Sequence, residues 1–148
     1  MQKLLVAVDG SERQKGVIDA AVALARKTGA KLKLFRSVGL QREVPVSALG
    51  LTPENVAALL EGQTRSELSA LEWTLPEEVR GGVRVALGSP WSSIVEAARE
   101  EEADLIVIGS HGYSGLDRVI GTTAAKVVNH ADRSVLVVRE HAGKAVRP

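Results

Sequence analysis

The sequence predicts one doubly wound α/β domain, and three observations carry that reading. Five short runs rich in β-branched residues, Leu4–Val8, Lys31–Ser37, Val83–Leu87, Asp104–Ile108 and Ser134–Val138, are each the length of a strand. Stretches with helical periodicity separate them, and such alternation resolves into parallel strands joined by right-handed helical crossovers. Leu4–Val8, Leu105–Ile108 and Val135–Val138 are apolar throughout, as strands are when helices cover both faces of a sheet. The 148 residues suit a single domain spanning 1–148, long enough to bury roughly 68–70% of its unfolded surface.

Each element has a local cause. After the first strand, Ser11 stands as the cap of a helix from Glu12 to Thr28, whose Val17, Ile18, Ala21, Val22, Leu24 and Ala25 recur at spacings of three and four. Gly29 follows as its left-handed C-terminal residue. In the second and third strands Leu32, Leu34, Val83 and Val85 alternate with polar residues, as strands nearer an edge do. Thr52-Pro53 places a capping side chain before a proline in the first turn, and Val56, Leu59, Leu60, Leu68 and Leu71 carry that helix to Trp73. Ser89-Pro90 repeats the signal ahead of Ile94, Val95, Ala97 and Ala98, and Glu100–Glu102 reads as a solvated helix end. Ala124, Ala125, Val127 and Val128 mark a last helix from Thr123 to His130. Trp73 and Trp91 are read as packing residues. The connection from Val38 to Leu51 is long for this architecture, a length usually reserved for function, and the tail from Glu140 to Pro148 is expected to be loose.

Composition narrows the function. Nineteen basic residues against eighteen acidic leave a formal charge of +1, which offers no large field to a nucleic-acid backbone or an anionic membrane. The aromatic share of 3%, Phe35, Trp73, Trp91 and Tyr113, is too sparse for a base-stacking platform. The core is therefore aliphatic, in line with a mean hydropathy of +0.04. Without cysteine there is no disulfide framework, and the early apolar run ends at Asp9 without a signal-peptide cleavage pattern. A cytoplasmic location with no membrane partner is expected.

Chemistry in an open parallel sheet belongs outside the carboxyl ends of its strands. Two strand ends have suitable content: Asp9-Gly10-Ser11 after the first, and Gly109-Ser110-His111-Gly112-Tyr113-Ser114-Gly115 after the fourth, leading to Gly121-Thr122-Thr123. Glycines let backbone N–H groups approach an anion, and a helix start adds unpaired donors and a favourable dipole. Each feature also has a structural reading, since strand-to-helix turns use glycine for geometry and Asp9 with Ser11 can simply cap a helix. Several enzyme templates fail here. Threonine, not lysine, follows Gly121, which excludes the phosphate-reaching lysine of a P-loop, and the first turn holds one glycine rather than G-x-G-x-x-G. No G-x-S-x-G elbow or H-E-x-x-H pair is present, and nothing beside His111 supplies a nucleophile.

The segment from Ala103 through Arg118, with Gly121-Thr122 and Ser134 to Arg139, closely resembles the universal stress protein family. Leu4 to Ser11 and Gly88-Ser89-Pro90 with Ile94 and Ala98 extend the resemblance over nearly the whole chain. It implies strand order 3-2-1-4-5 and a homodimer paired through the last strand, Ser134 to Val138. In the nucleotide-binding branch of that family, G-x2-G-x9-G-[ST] holds ATP. Gly109 and Gly112 fit its first two glycines and Gly121 with Thr122 its last pair, but only eight residues, Tyr113 to Ile120, lie between Gly112 and Gly121. By the same resemblance His111, Tyr113, Ser114 and Thr123 belong to the cradle, Ala7 and Ser37 lie near the adenine, and Asp9 sits beside the ribose or a bound Mg2+. The implied activity is ATP binding in a stress-response protein, with slow hydrolysis or none. The shortened spacing keeps a second expectation open, a dimeric interaction protein that binds no nucleotide.

Overall fold

Consecutive side chains of an extended strand point to opposite faces, and here Leu4 and Val6 enter one core while Leu5 enters another. The computed structural model describes residues 1–39, 50, 52–110 and 121–139. Its five strands are β1 (Lys3–Ala7), β2 (Lys31–Val38), β3 (Arg80–Leu87), β4 (Leu105–Gly109) and β5 (Ser134–Val138), paired in parallel in the order β3-β2-β1-β4-β5. Helices α1 (Gln14–Thr28), α2 (Pro53–Trp73), α3 (Pro90–Glu100) and α4 (Thr122–His130) connect them, with a 3-10 turn at Glu77–Val79. The doubly wound α/β fold and its strand order are as expected.

Two aliphatic layers hold the sheet. On one face Leu4, Val6, Leu32, Leu34 and Val107 meet Val17, Ile18 and Ala21 of α1 and Leu68 of α2. On the other, Leu5, Phe35, Ile106 and Ile108 meet Ile94, Ala97 and Ala98 of α3 and Val127 of α4. Each such large side chain, fully buried, contributes about 1.5–3 kcal/mol, so both faces of the central strands must be apolar. That requirement is what the continuous runs in β1 and β4 record. Among the described residues no helix is long and apolar enough to cross a membrane.

Several local expectations are corrected. Helix α1 starts at Gln14 rather than Glu12, because the Ser11 hydroxyl is drawn to Asp9 as a donor and reaches only the Arg13 N–H as an acceptor. Ser89 occupies the cap position of α3 without a side-chain cap bond, whereas Thr52 Oγ1 accepts from Asn55 N at 3.1 Å as predicted. Gly29 closes α1 in the left-handed region, φ +80°. Strand β3 begins three residues early, at Arg80, since a bulge at Gly81-Gly82 lets Leu32 pair with Arg80 and Leu34 with Val83. A Cβ on Gly81 would stand 2.7 Å from the Leu32 carbonyl oxygen, so glycine is what allows the two backbones to meet. Helix α4 begins one residue early, at Thr122.

The apolar run of β5 was expected to be covered on both faces. It lies instead at the sheet edge, with Leu136 37% exposed and its neighbours half-buried at best. Trp73 is not a packing residue: it is 71% exposed, with the Arg80 guanidinium 4.6 Å from its ring centroid. Trp91 does pack, against the second core and the His130 ring at 4.6 Å. The acidic end of α3 is not simply solvated, because Glu101 pairs with Lys33 at 2.7 Å and with Arg84 at 3.0 Å, and Glu100 pairs with Arg84 at 3.0 Å. The tail from Glu140 to Pro148 and most of the connection from Val38 to Leu51 lie outside the described residues.

Candidate functional site

The chain leaves β1 through α1 toward β2 and returns from β3 through α3 to β4, on the other side of β1. Strand order therefore reverses between β1 and β4, the position where open α/β sheets take ligands. Val8 N donates to Phe35 O at 2.9 Å, carrying the strand ladder one step past β1 into the turn Asp9-Gly10-Ser11. Asp9 Oδ1 accepts from Ser11 N at 2.9 Å and from Ser11 Oγ at 2.7 Å, and Gly10 N donates to Gln14 Oε1 at 3.0 Å. Gly10 has φ +82°, a conformation that favours glycine. The turn is thus fixed by its own side chains, and the Asp9 carboxylate is exposed rather than spent on capping α1. Its second oxygen, Oδ2, has no hydrogen-bond partner among the described residues.

Ala7 and Ser37 lie on the same face of the sheet. Ala7 packs against the core under α3 and α4, and Ser37 is in register with Ala86, which packs there too. Both are half-buried at the carboxyl ends of adjacent strands.

After β4, Ser110 N donates to Val138 O at 2.9 Å, and Gly121 N donates to Ser110 O at 2.8 Å. These bonds seat the start of α4 directly beyond the end of β4. Among the described residues no side chain caps the start of α4, whose Thr122 is exposed and Thr123 half-buried, and the first N–H groups of a helix lack intrahelical partners. Gly121 has φ −62° and ψ 160°, a conformation open to any residue, so backbone geometry does not by itself demand glycine there. Gly109 is different. A Cβ on it would stand 3.0 Å from Val17 Cγ2, so the packing of α1 alone explains that glycine. The remaining residues of the expected cradle, His111, Gly112, Tyr113 and Ser114, lie outside the described residues.

Sequence reading missed Arg36. It projects from β2 on the α1 and α2 side, in register with Val85, with its side chain 16% exposed. Nη1 holds Glu67 Oε2 of α2 at 2.9 Å, and the guanidinium lies under Gly10, 3.2–3.5 Å from where a Cβ would stand. Its Nε is buried without a hydrogen-bond partner among the described residues. The available signal was an arginine in an otherwise apolar strand end, next to Phe35. Arg36 props the Asp9–Ser11 turn from beneath and ties it to α2.

Among the described residues no group of three or more His, Cys, Asp or Glu side chains converges as a metal site. Asp9 alone could touch a hard cation, and Mg2+ is commonly held by one or two carboxylates plus substrate phosphates.

Comparison with known proteins agrees with this architecture. The model of the universal stress protein family matches residues 1–139. The universal stress protein YxiE of Bacillus subtilis is 35% identical over 146 residues, covering 93% of this chain and 98% of that protein. Among solved structures, universal stress protein UspA from Lactobacillus plantarum is 27% identical with a TM-score of 0.68, covering 93% of this chain and 97% of its own. Two neighbours share the fold at lower identity. A universal stress protein in complex with cAMP is 23% identical (TM-score 0.57, covering 93% and 96%), and one from Archaeoglobus fulgidus in complex with dAMP is 21% identical (TM-score 0.58, covering 94% and 98%).

Proposed function

Since the chain belongs to the universal stress protein family, we propose that it is a stress-response protein that binds ATP at the carboxyl end of its sheet, with occupancy rather than rapid turnover as its signal. The observation that carries the proposal is the start of α4, presented beyond β4 at the reversal of strand order with no side-chain cap among the described residues. Such a helix end offers free N–H donors and a positive dipole to phosphate. Gly121 is buried at this start although its backbone conformation does not require glycine, and Thr122 and Thr123 add hydroxyls. Oδ2 of Asp9, without a partner among the described residues, is an acceptor suited to a ribose hydroxyl or to Mg2+ held mainly by the nucleotide. Ala7 and Ser37 give a shallow, half-buried floor of the kind a planar base rests on. Gly112, His111, Tyr113 and Ser114 complete the cradle in this reading.

The neighbours holding cAMP and dAMP support an adenine nucleotide as the ligand. Binding without fast cleavage fits the threonine that follows Gly121, where phosphate-cleaving loops place lysine. The reading includes a cytoplasmic homodimer through β5, whose edge position and exposed Leu136 leave a strand to be paired. One observation favours a second reading, an interaction protein that binds no nucleotide: the eight-residue spacing between Gly112 and Gly121.

Mass spectrometry of ligand released from freshly purified protein, with calorimetric titration of ATP and magnesium into stripped protein, separates the two. The first reading expects co-purified adenine nucleotide, micromolar or tighter binding, and a loss of about 100-fold or more in Gly121→Val with the melting temperature retained. Unchanged affinity in that variant removes the phosphate cradle, and an empty wild type with no heat favours the second reading.

A further inference from the structure

At the opposite end of the sheet the bulged start of β3 draws its backbone close to β2 and opens a cleft of about 580 Å³. That size is within the range of about 300–1,000 Å³ typical of small-ligand sites. Lys3 and Lys31 are paired in register on β1 and β2, and Lys33 stands two residues further along β2, so three lysines line one cleft. Gly82, beside Lys33, has φ +100°, a conformation that favours glycine.

Existing bonds orient the amines without exhausting them. Lys3 Nζ donates to Glu101 O at 3.2 Å, Lys31 Nζ to Glu78 O at 2.8 Å and Lys33 Nζ to Glu101 Oε1 at 2.7 Å. Each ammonium has three donors, so further donors remain on all three. Glu101 is the one carboxylate among the described residues of the lining, and Arg84 already claims it at 3.0 Å. Asp104, beside this end of β1, is committed to the N–H groups of Gln2 and Lys3 at 2.7 and 2.9 Å. Positive charge is therefore left over in the cleft. The lining carries no guanidinium fork for a planar carboxylate, whereas lysines hold phosphate as point charges.

We propose that this amino-end cleft is a second ligand site, taking a compact anion of two or more linked phosphate groups on Lys3, Lys31 and Lys33. It is separate from the nucleotide site at the other end of the strands and does not depend on that reading. Inorganic pyrophosphate is the direct probe, titrated by calorimetry and by NMR of 13C-labelled lysines into the full chain stripped of nucleotide. The proposal expects shifts at the three lysines, weakening with added salt, and a loss of roughly five- to tenfold in affinity for Lys3→Gln and for Lys31→Gln. Both lysines are exposed, so these variants keep the fold, which thermal melts verify. Gly121→Val is expected to bind pyrophosphate as the wild type does. No heat and no lysine shifts at millimolar pyrophosphate, equal affinity in the two lysine variants, or loss of binding in Gly121→Val would each overturn the proposal, the last by placing the anion at the carboxyl end.

Discussion

At the amino end of the sheet the turns are tied by charged side chains, whereas at the carboxyl end the strands are closed mainly by backbone hydrogen bonds. Asp104 clamps the start of β1 through two N–H groups, and Arg133 Nη1 binds the carbonyls of Ala98 and Ala103, both at 2.9 Å. Lys33 and Arg84 hold the end of α3, and Arg80 donates to Leu75 O and Trp73 O. Across the molecule Val8, Gly88, Ser110 and Gly121 close the carboxyl end N–H to C=O, and among the described residues no side chain caps α3 or α4. The contrast teaches where stability and function are divided. Charged tethers hold the amino end together, and the carboxyl end is the one placed at the reversal of strand order.

Variants at the two ends should therefore fail differently. Gly109→Val forces a branched side chain against Val17 across a gap that admits no Cβ without adjustment, and should cost about 1–3 kcal/mol in urea unfolding. Because Gly109 sits between the core and the carboxyl-end turn, the remaining folded protein should still take up nucleotide. A full loss of binding with unchanged stability would show instead that Gly109 meets the ligand. Arg133→Ala removes charge-assisted bonds from two carbonyls at the amino end and should cost about 2 kcal/mol while leaving nucleotide affinity unchanged. Equal losses of stability and affinity would mean that the two ends are coupled.

Acid should loosen the amino end. The Gln2 and Lys3 N–H groups hold the Asp104 carboxyl below the usual carboxylate range, and the Lys33 ammonium does the same for Glu101. The unfolded chain thus binds more protons through that range, so this stabilisation is complete above about pH 5 and is lost as pH falls through the folded-state values. Asp104→Asn should flatten the acid limb of the stability profile. An acid limb identical to the wild type's would remove Asp104 from the account.

Much of this was legible in the sequence for a physical reason: burial on both faces leaves a continuous apolar run, which located β1 and β4, and Thr52-Pro53 and Gly29 mark helix ends by backbone chemistry local to them. What failed depended on neighbours distant in sequence. The run in β5 looks like a central strand because composition does not report which strands lie alongside it. Gly81-Gly82 concealed the start of β3, since a bulge is defined by its partner strand. Arg36 gave no sign of lying under Gly10, 26 positions away in sequence. For the candidate site, Asp9, Gly121, Thr122 and Thr123 were nominated by their residue types, but only the fold could separate Gly109, explained by packing, from Gly121, which backbone conformation leaves unexplained.

The most direct test of this division is amide hydrogen exchange of stripped protein with and without ATP and magnesium. Slowed exchange at Asp9–Ser11, Gly109–Ser110 and Gly121–Ala124, with Gln2, Lys3 and Lys31–Lys33 unchanged, is the predicted result. Protection centred on the amino end, or none at the start of α4, would contradict it.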